Sequence, residues 1–187
     1  GKGQKYKSLL VWDILQKRTD ENHALKLKEI EEQPRVIRQI LSYYCDEPGK
    51  VNIDDEIIGK LTHSDRIYII ASGTSYNAGL VGKYYFEKIC SKPVDVCMAG
   101  EFAYNMPPIS QSPVFIFVSQ RGETADCISV LSKIKELGFA SVAITNCEVS
   151  TIFREADHTL LIHAGREIAV ASTKSYTAQV AVFALLE

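Results

Sequence analysis

The sequence predicts an α/β domain of three layers (αβα), with a five-stranded parallel sheet flanked by helices on both faces. Three observations lead there. Five short strand-like runs, at 66–71, 94–98, 114–118, 141–145 and 158–162, are separated by segments with helical periodicity. The runs are largely continuous in apolar character rather than alternating, as expected of strands buried on both faces. Two of them, and the segment before the last helical pattern, break into turns rich in hydroxyl and glycine residues just where a helix begins. Right-handed crossovers then gather these turns at the carboxyl edge of the sheet, where open α/β folds bind ligands.

Residues 1–23 are rich in lysine, contain the sole tryptophan, Trp12, and have no clear amphipathic period, so they read as a linker or the remnant of an upstream domain. From 24 to 44, Leu25, Ile30, Val36, Ile37, Ile40 and Leu41 recur at helical spacing, with Pro34 splitting or restarting the helix. Pro48-Gly49 signals a turn. A helix over 54–62 precedes the first sheet strand, and the series then alternates: helices over 76–90, 100–105, 123–137 and 150–155 follow the first four strands. A last helix is predicted from Ser172 to the end. Its apolar pattern runs from Thr177 to Leu186, up to the end, so the sequence is expected to continue. Gly79 and Gly82 fall inside a helix, where close packing is their expected reason.

At 187 residues the chain has room for one substantial α/β core and an extension. A formal net charge of −2 argues against a nucleic-acid partner. The five cysteines (Cys45, Cys90, Cys97, Cys127 and Cys147) form no CxxC pair and read as reduced, mostly buried thiols of a cytoplasmic protein. No apolar run is long enough for a membrane span, and the basic start lacks the apolar core of a signal peptide.

The most informative stretch is Val114-Phe-Ile-Phe-Val-Ser119-Gln120-Arg121-Gly122-Glu123-Thr124. A strand that ends in hydroxyl, amide and glycine residues before a helix suits a phosphate monoester, which the free N–H groups and dipole of a helix N-terminus attract. Ser119, Gln120 and Thr124 are the candidate phosphate ligands, although Ser and Thr at such a turn also serve as ordinary caps. Arg121 either pairs with the phosphate or points to solvent. Ser72-Gly73-Thr74-Ser75 repeats the design, with Thr74 and Ser75 as candidate contacts, and Ser172-Thr173-Lys174-Ser175 opens the last helix. Glu167 either acts on a sugar as acid or base or pairs at the surface with Arg166. Lys174, poorly placed for the helix dipole, reaches a ligand or an acidic neighbour. His158 and His163 lack partners at metal spacing, and His23 and His63 read as surface residues. No metal or cofactor is expected.

Gly73-Thr74-Ser75, Ser119-Gln120-Arg121-Gly122-Glu123-Thr124 and Ala171-Ser172-Thr173-Lys174, in this order and spacing, make residues 24–187 resemble a sugar isomerase (SIS) domain, flavodoxin-like in fold. More narrowly, the chain is similar to the first SIS domain of the isomerising glutamine:fructose-6-phosphate amidotransferases. Leu27-Lys28-Glu29-Ile30-Glu31-Glu32-Gln33-Pro34 looks like the linker of that family, as do Ala99-Gly100-Glu101-Phe102-Ala103-Tyr104 and Gly165-Arg166-Glu167-Ile168-Ala169-Val170-Ala171-Ser172-Thr173-Lys174. Trp12-Asp13 then reads as the tail of a glutaminase domain.

The resemblance implies that Ser119, Gln120 and Thr124 hold a sugar phosphate and that Thr74, Ser75 and Ser172 contact its hydroxyls or phosphate. Val170 and Ala171 add backbone contacts. The family usually has serine where this chain has Arg121. Fructose 6-phosphate and glucosamine 6-phosphate are the implied ligands, and the implied partners are a glutaminase domain, a second SIS domain and a second copy of the chain. Within the family the catalytic lysine, glutamate and histidine come from the second SIS domain and a neighbouring subunit, so no catalytic residue is assigned here and this segment alone is expected to be inactive. Competing readings are a non-catalytic SIS sensor of sugar phosphates and another SIS isomerase or deglycase.

Overall fold

The computed structural model describes residues 23–47, 49–169 and 172–187. The predicted linker over 1–22 lies outside these. A helical segment over 23–31 is followed by a turn at Glu32 and helix α1, Gln33–Tyr44, with proline in its first turn. Proline is tolerated there because the first N–H groups of a helix have no intrahelical acceptor, which is why Pro34 restarts the helix instead of ending it. The turn at Gly49 joins two short antiparallel strands, β1 (Cys45–Glu47) and β2 (Lys50–Val51), a hairpin that the apolar pattern does not reveal because the strands are mostly exposed.

Helix α2 (Asp55–His63) leads into β3 (Arg66–Ala71), α3 (Thr74–Lys88), β4 (Val94–Met98), α4 (Ala99–Tyr104) and β5 (Pro113–Ser119). The remainder is α5 (Ala125–Glu136), β6 (Ala140–Thr145), α6 (Thr151–Glu155), β7 (His158–Leu161) and α7 (Lys174–Leu185). Strands β3 to β7 form one five-stranded sheet in the order β4-β3-β5-β6-β7, with every pairing parallel. Counted within the sheet this is 2-1-3-4-5, and the chain reverses its winding direction between β3 and β5. The crevice outside the carboxyl ends of those two strands is the switch point where such sheets take ligands.

Successive strand residues point to opposite faces and feed two cores. Ile67, Ile69, Ile116 and Val118 pack with Val36, Ile40, Ile57, Phe86 and Phe183 of the helices α1, α2, α3 and α7. Tyr68, Ile70, Phe115 and Phe117 pack with Phe102, Leu131 and Ile134 of α4 and α5. The two helical glycines mark close approaches, as expected: a Cβ on Gly79 would lie 2.9 Å from Ile69 Cγ2, and one on Gly82 would lie 2.6 Å from the Phe183 ring.

The buried residues of α7, among them Ala178, Val182 and Phe183, sit in the core of this same chain. All five cysteines are free, but only Cys127 is fully buried, the rest standing at intermediate exposure. Among the described residues no helix is long and apolar enough to cross a membrane, and no group of three or more His, Cys, Asp or Glu side chains could hold a metal ion.

Candidate functional site

Strand β5 ends at Ser119, which is 4% exposed, and the chain turns through 120–123 before entering α5 with Thr124 at the N-cap. Gly122 makes that turn at φ +66°, a backbone region that suits glycine. Its N–H donates to Ser119 Oγ at 3.1 Å, and its carbonyl accepts from Ile152 N at 3.1 Å. The Glu123 carboxylate accepts from Thr151 N at 2.7 Å and from Thr151 Oγ1 at 2.9 Å, bonds that lower its pKa. The Gln120 carbonyl accepts from Asn146 N at 3.0 Å. The loop is thereby tied to α6 and to the end of β6.

Ser119 Oγ and Thr124 Oγ1 lie 2.9 Å apart. Although Thr124 is the N-cap of α5, its side chain makes no cap bond, and Gly73, the N-cap of α3, has none to give. Asp54 and Ser150, by contrast, do cap α2 and α6. The helix N-termini on either side of the switch point thus keep their first N–H groups free of side-chain caps, which leaves donors and a positive dipole end for an anion. Capping, the ordinary explanation for a hydroxyl at such a turn, does not account for Thr124.

The two loops and the start of the last helix meet around a cavity of about 340 Å³ lined by Ser72, Thr74, Ser75, Val118, Ser119, Gln120, Arg121, Glu123, Thr124 and Ser172. Thr74, Ser75, Ser119, Gln120, Arg121, Thr124 and Ser172 all line it, Glu167 and Lys174 do not, and Val170 and Ala171 fall outside the described residues. Thr74 and Ser75 belong to the first turn of α3, a little earlier than the expected helix start. Arg121 is exposed on the rim. Cys127, in the first turns of α5, is no candidate nucleophile, because burial pushes its thiol up to about 12.

Glu167 departs from the reading of it as a surface partner of Arg166. It is 8% exposed and accepts from Thr173 N at 2.8 Å, Ser175 N at 3.3 Å and Ser172 Oγ at 3.2 Å. It therefore caps α7 from outside the helix and orients Ser172. Lys174, 3% exposed, finds the acidic neighbour and not the ligand, its Nζ standing 2.6 Å from Glu32 Oε2. The Lys174 hydrogen bond holds the Glu32 carboxyl below its usual range. Glu29 accepts from Ile168 N at 2.6 Å and Ala169 N at 3.1 Å. The segment leading into α1 thus grips the loop that carries Ser172 at both ends. Glu29 and Glu32 were not legible as site-shaping residues, because their partners lie about 140 positions away and no local spacing marks them.

Beside this cavity, and sharing Gln120, Arg121 and Glu123 with it, lies an open groove of about 1200 Å³ lined also by Arg35, Tyr43, His163 and Arg166. His163 packs its ring 4.0 Å from that of Tyr43, and burial lowers its pKa, which favours the neutral imidazole. His63 is exposed, its Nδ1 2.7 Å from the Gly59 carbonyl, and His23 is exposed as well.

The chain is similar over 160 residues to the glutamine–fructose-6-phosphate aminotransferase [isomerizing] of Staphylococcus epidermidis, at 58% identity, and to that of Staphylococcus aureus, at 56%. The match takes in 86% of this chain but only 27% of either relative, so the chain spans about a quarter of their length. Among solved structures it superposes on the C-terminal domain of glucosamine-fructose-6-phosphate aminotransferase from Francisella tularensis with a TM-score of 0.80 and 36% identity, over 86% of this chain and 45% of that one. The SIS domain pattern itself matches residues 60–186, which include the sheet and all three loops of the cavity, and the chain belongs to the SIS domain family.

Proposed function

We propose that this chain is the sugar-phosphate-holding part of the isomerase region of a glutamine–fructose-6-phosphate aminotransferase, with residues 24–187 as its first SIS domain and 1–23 as linker or the end of a glutaminase domain. The observation that carries the reading is the convergence on one cavity at the switch point of Thr74 and Ser75, Ser119 to Thr124, and Ser172, drawn from three separate turns. Identity of 58% to an enzyme so named supports the choice of substrate.

In this reading the phosphate of fructose 6-phosphate sits at the N-terminus of α5, taking hydrogen bonds from Ser119, Thr124, the Gln120 amide and free backbone N–H groups. Thr74, Ser75 and Ser172 face the sugar, with Val170 and Ala171 adding backbone contacts. Arg121, on the rim, contributes positive charge to the approach. The full enzyme adds ammonia at C2 and moves a proton between C1 and C2, turning a ketose into an aldose, and general acid and base groups of the remaining domains perform that transfer. This chain's own contribution is to hold the substrate in one orientation, which by itself lowers the barrier. Homodimers in the cytoplasm complete the reading.

Thr124→Ala in the full-length protein tests it. Loss of one hydrogen bond to a charged oxygen costs about 1.5–3 kcal/mol, so calorimetric titration should find fructose 6-phosphate bound at least about tenfold more weakly. Unphosphorylated fructose, the control, should bind poorly to both proteins. Unchanged affinity in Thr124→Ala would remove the loop from the site.

A further inference from the structure

One side of the cavity is built on a buried amide to which neither the sequence motifs nor the family resemblance drew attention. Gln179, in α7, is 1% exposed, and its Nε2 donates to Ser75 Oγ at 3.0 Å across 104 positions of sequence. Ser75 stands in the first turn of α3 and lines the cavity. An amide NH₂ can only donate, so the Ser75 oxygen is the acceptor in this bond. Its hydroxyl proton has no acceptor among the described residues and is left for whatever occupies the cavity.

The other end of the amide is costly. Gln179 Oε1 is buried without a partner, and so is Ser175 Oγ one turn earlier on the same helix. A methionine of similar size would fill this place in an apolar core without an orphan oxygen. The arrangement makes sense for what Nε2 does at Ser75. A bond donated to a hydroxyl also polarises it and strengthens the bond it gives in turn.

We propose that Gln179 is a positioning residue for sugar-phosphate binding: by donating to Ser75 Oγ it fixes that side chain and commits its proton to an oxygen of the ligand. This rests on the reading of the cavity given above. Because Gln179 acts only through Ser75, the two positions must be coupled.

The test is a double-mutant cycle in the full-length protein, read as affinity for fructose 6-phosphate at pH 8, with melting temperatures recorded to verify folding. Gln179→Met, which keeps the size and removes the donor, should weaken binding about fivefold, the scale of one hydrogen bond between uncharged groups. In a Ser75→Ala background the same substitution should cause no further loss of affinity, whatever it does to stability. Gln179→Glu keeps the shape but turns the partner into an acceptor that captures the Ser75 proton, and should weaken binding at least as much. Affinity as in the wild type for either variant, or losses that multiply in the double mutant, overturns the proposal. If Thr124→Ala weakens binding while Gln179→Met does not, only the role of Gln179 fails. If Thr124→Ala is also silent, the reading of the cavity fails with it.

Discussion

Gly122→Ala places a methyl group where the structure has no room for one. The new Cβ would lie 2.1 Å from Ser150 Oγ, 2.5 Å from Ser150 Cβ and 3.0 Å from Thr145 Oγ1. Rotating the serine moves its Oγ but not its Cβ, so backbone must shift. Ser150 is the N-cap of α6, accepting from Phe153 N at 3.3 Å and donating to the Cys147 carbonyl at 2.7 Å. Displacing it costs the cap, about 1 kcal/mol, and a buried hydrogen bond, about another 1 kcal/mol. Holding alanine at φ +66° adds about 1 kcal/mol or more.

The sum is about 3–4 kcal/mol. At about 2–4 °C per kcal/mol for a chain of this size, the melting temperature should fall by about 10 °C in calorimetry. Gly138→Ala is the control: φ there is +76°, also left-handed, but an added Cβ meets nothing within 4 Å. Only the conformational cost remains, about 1 kcal/mol, or about 3 °C. Adding Ser150→Gly, which removes both clashing atoms, should recover part of the loss in Gly122→Ala although it is harmful alone. Equal melting shifts for the two alanine variants, or strict additivity with Ser150→Gly, would refute the claim that contact with Ser150 sets the cost.

Glu167→Ala should lower stability by about 1–2 kcal/mol, because it uncaps α7 and removes a carboxylate from the positive end of that helix. It should also weaken sugar-phosphate binding by freeing Ser172, while Glu167→Gln, which keeps one acceptor, should lose less of both. Calorimetric melting and titration check this, and an unchanged melting temperature would mean that the cap contributes nothing. Tyr44→Phe should cost about 1–2 kcal/mol, since the phenol oxygen donates to the Leu161 carbonyl at 2.9 Å and accepts from Leu161 N at 2.8 Å. Burial pushes the Tyr44 hydroxyl from 10.0 up to about 12. The stabilisation that depends on the neutral phenol is complete below pH 10 and is lost as the pH rises toward about 12. The difference in stability between wild type and Tyr44→Phe should therefore shrink over that window in denaturant titrations, and a constant difference would sink the assignment.

The sheet was legible in the sequence nearly to the residue, because a strand buried on both faces needs apolar side chains at every position, and runs such as 66–71 and 114–118 have few other uses. The hairpin at 45–51 was not legible, since short exposed strands leave no apolar signature. Most of the cavity wall was legible as well. Helix starts and glycine turns are local chemistry, so Thr74, Ser75, Ser119, Gln120, Thr124 and Ser172 could be named before their meeting place was known. Glu167 was noticed but its capping role was not, and Lys174 was left between a ligand and an acidic neighbour. Whether a carboxylate pairs at the surface or caps a helix depends on burial, and burial is a property of the folded chain.

The sequence by itself determined the layers, the strands and the loops that carry hydroxyls, because periodicity and turn chemistry act over a few residues. The tertiary structure decided that β3 and β5 are neighbours, so that their loops share one cavity. It also decided that Thr124 leaves α5 uncapped, that Glu29 and Glu32 grip the loop bearing Ser172, and that Gln179 reaches Ser75. The pairing of β3 with β5 and the bonds from Glu29, Glu32 and Gln179 join groups tens to more than a hundred positions apart, and only the closed fold brings such groups into contact.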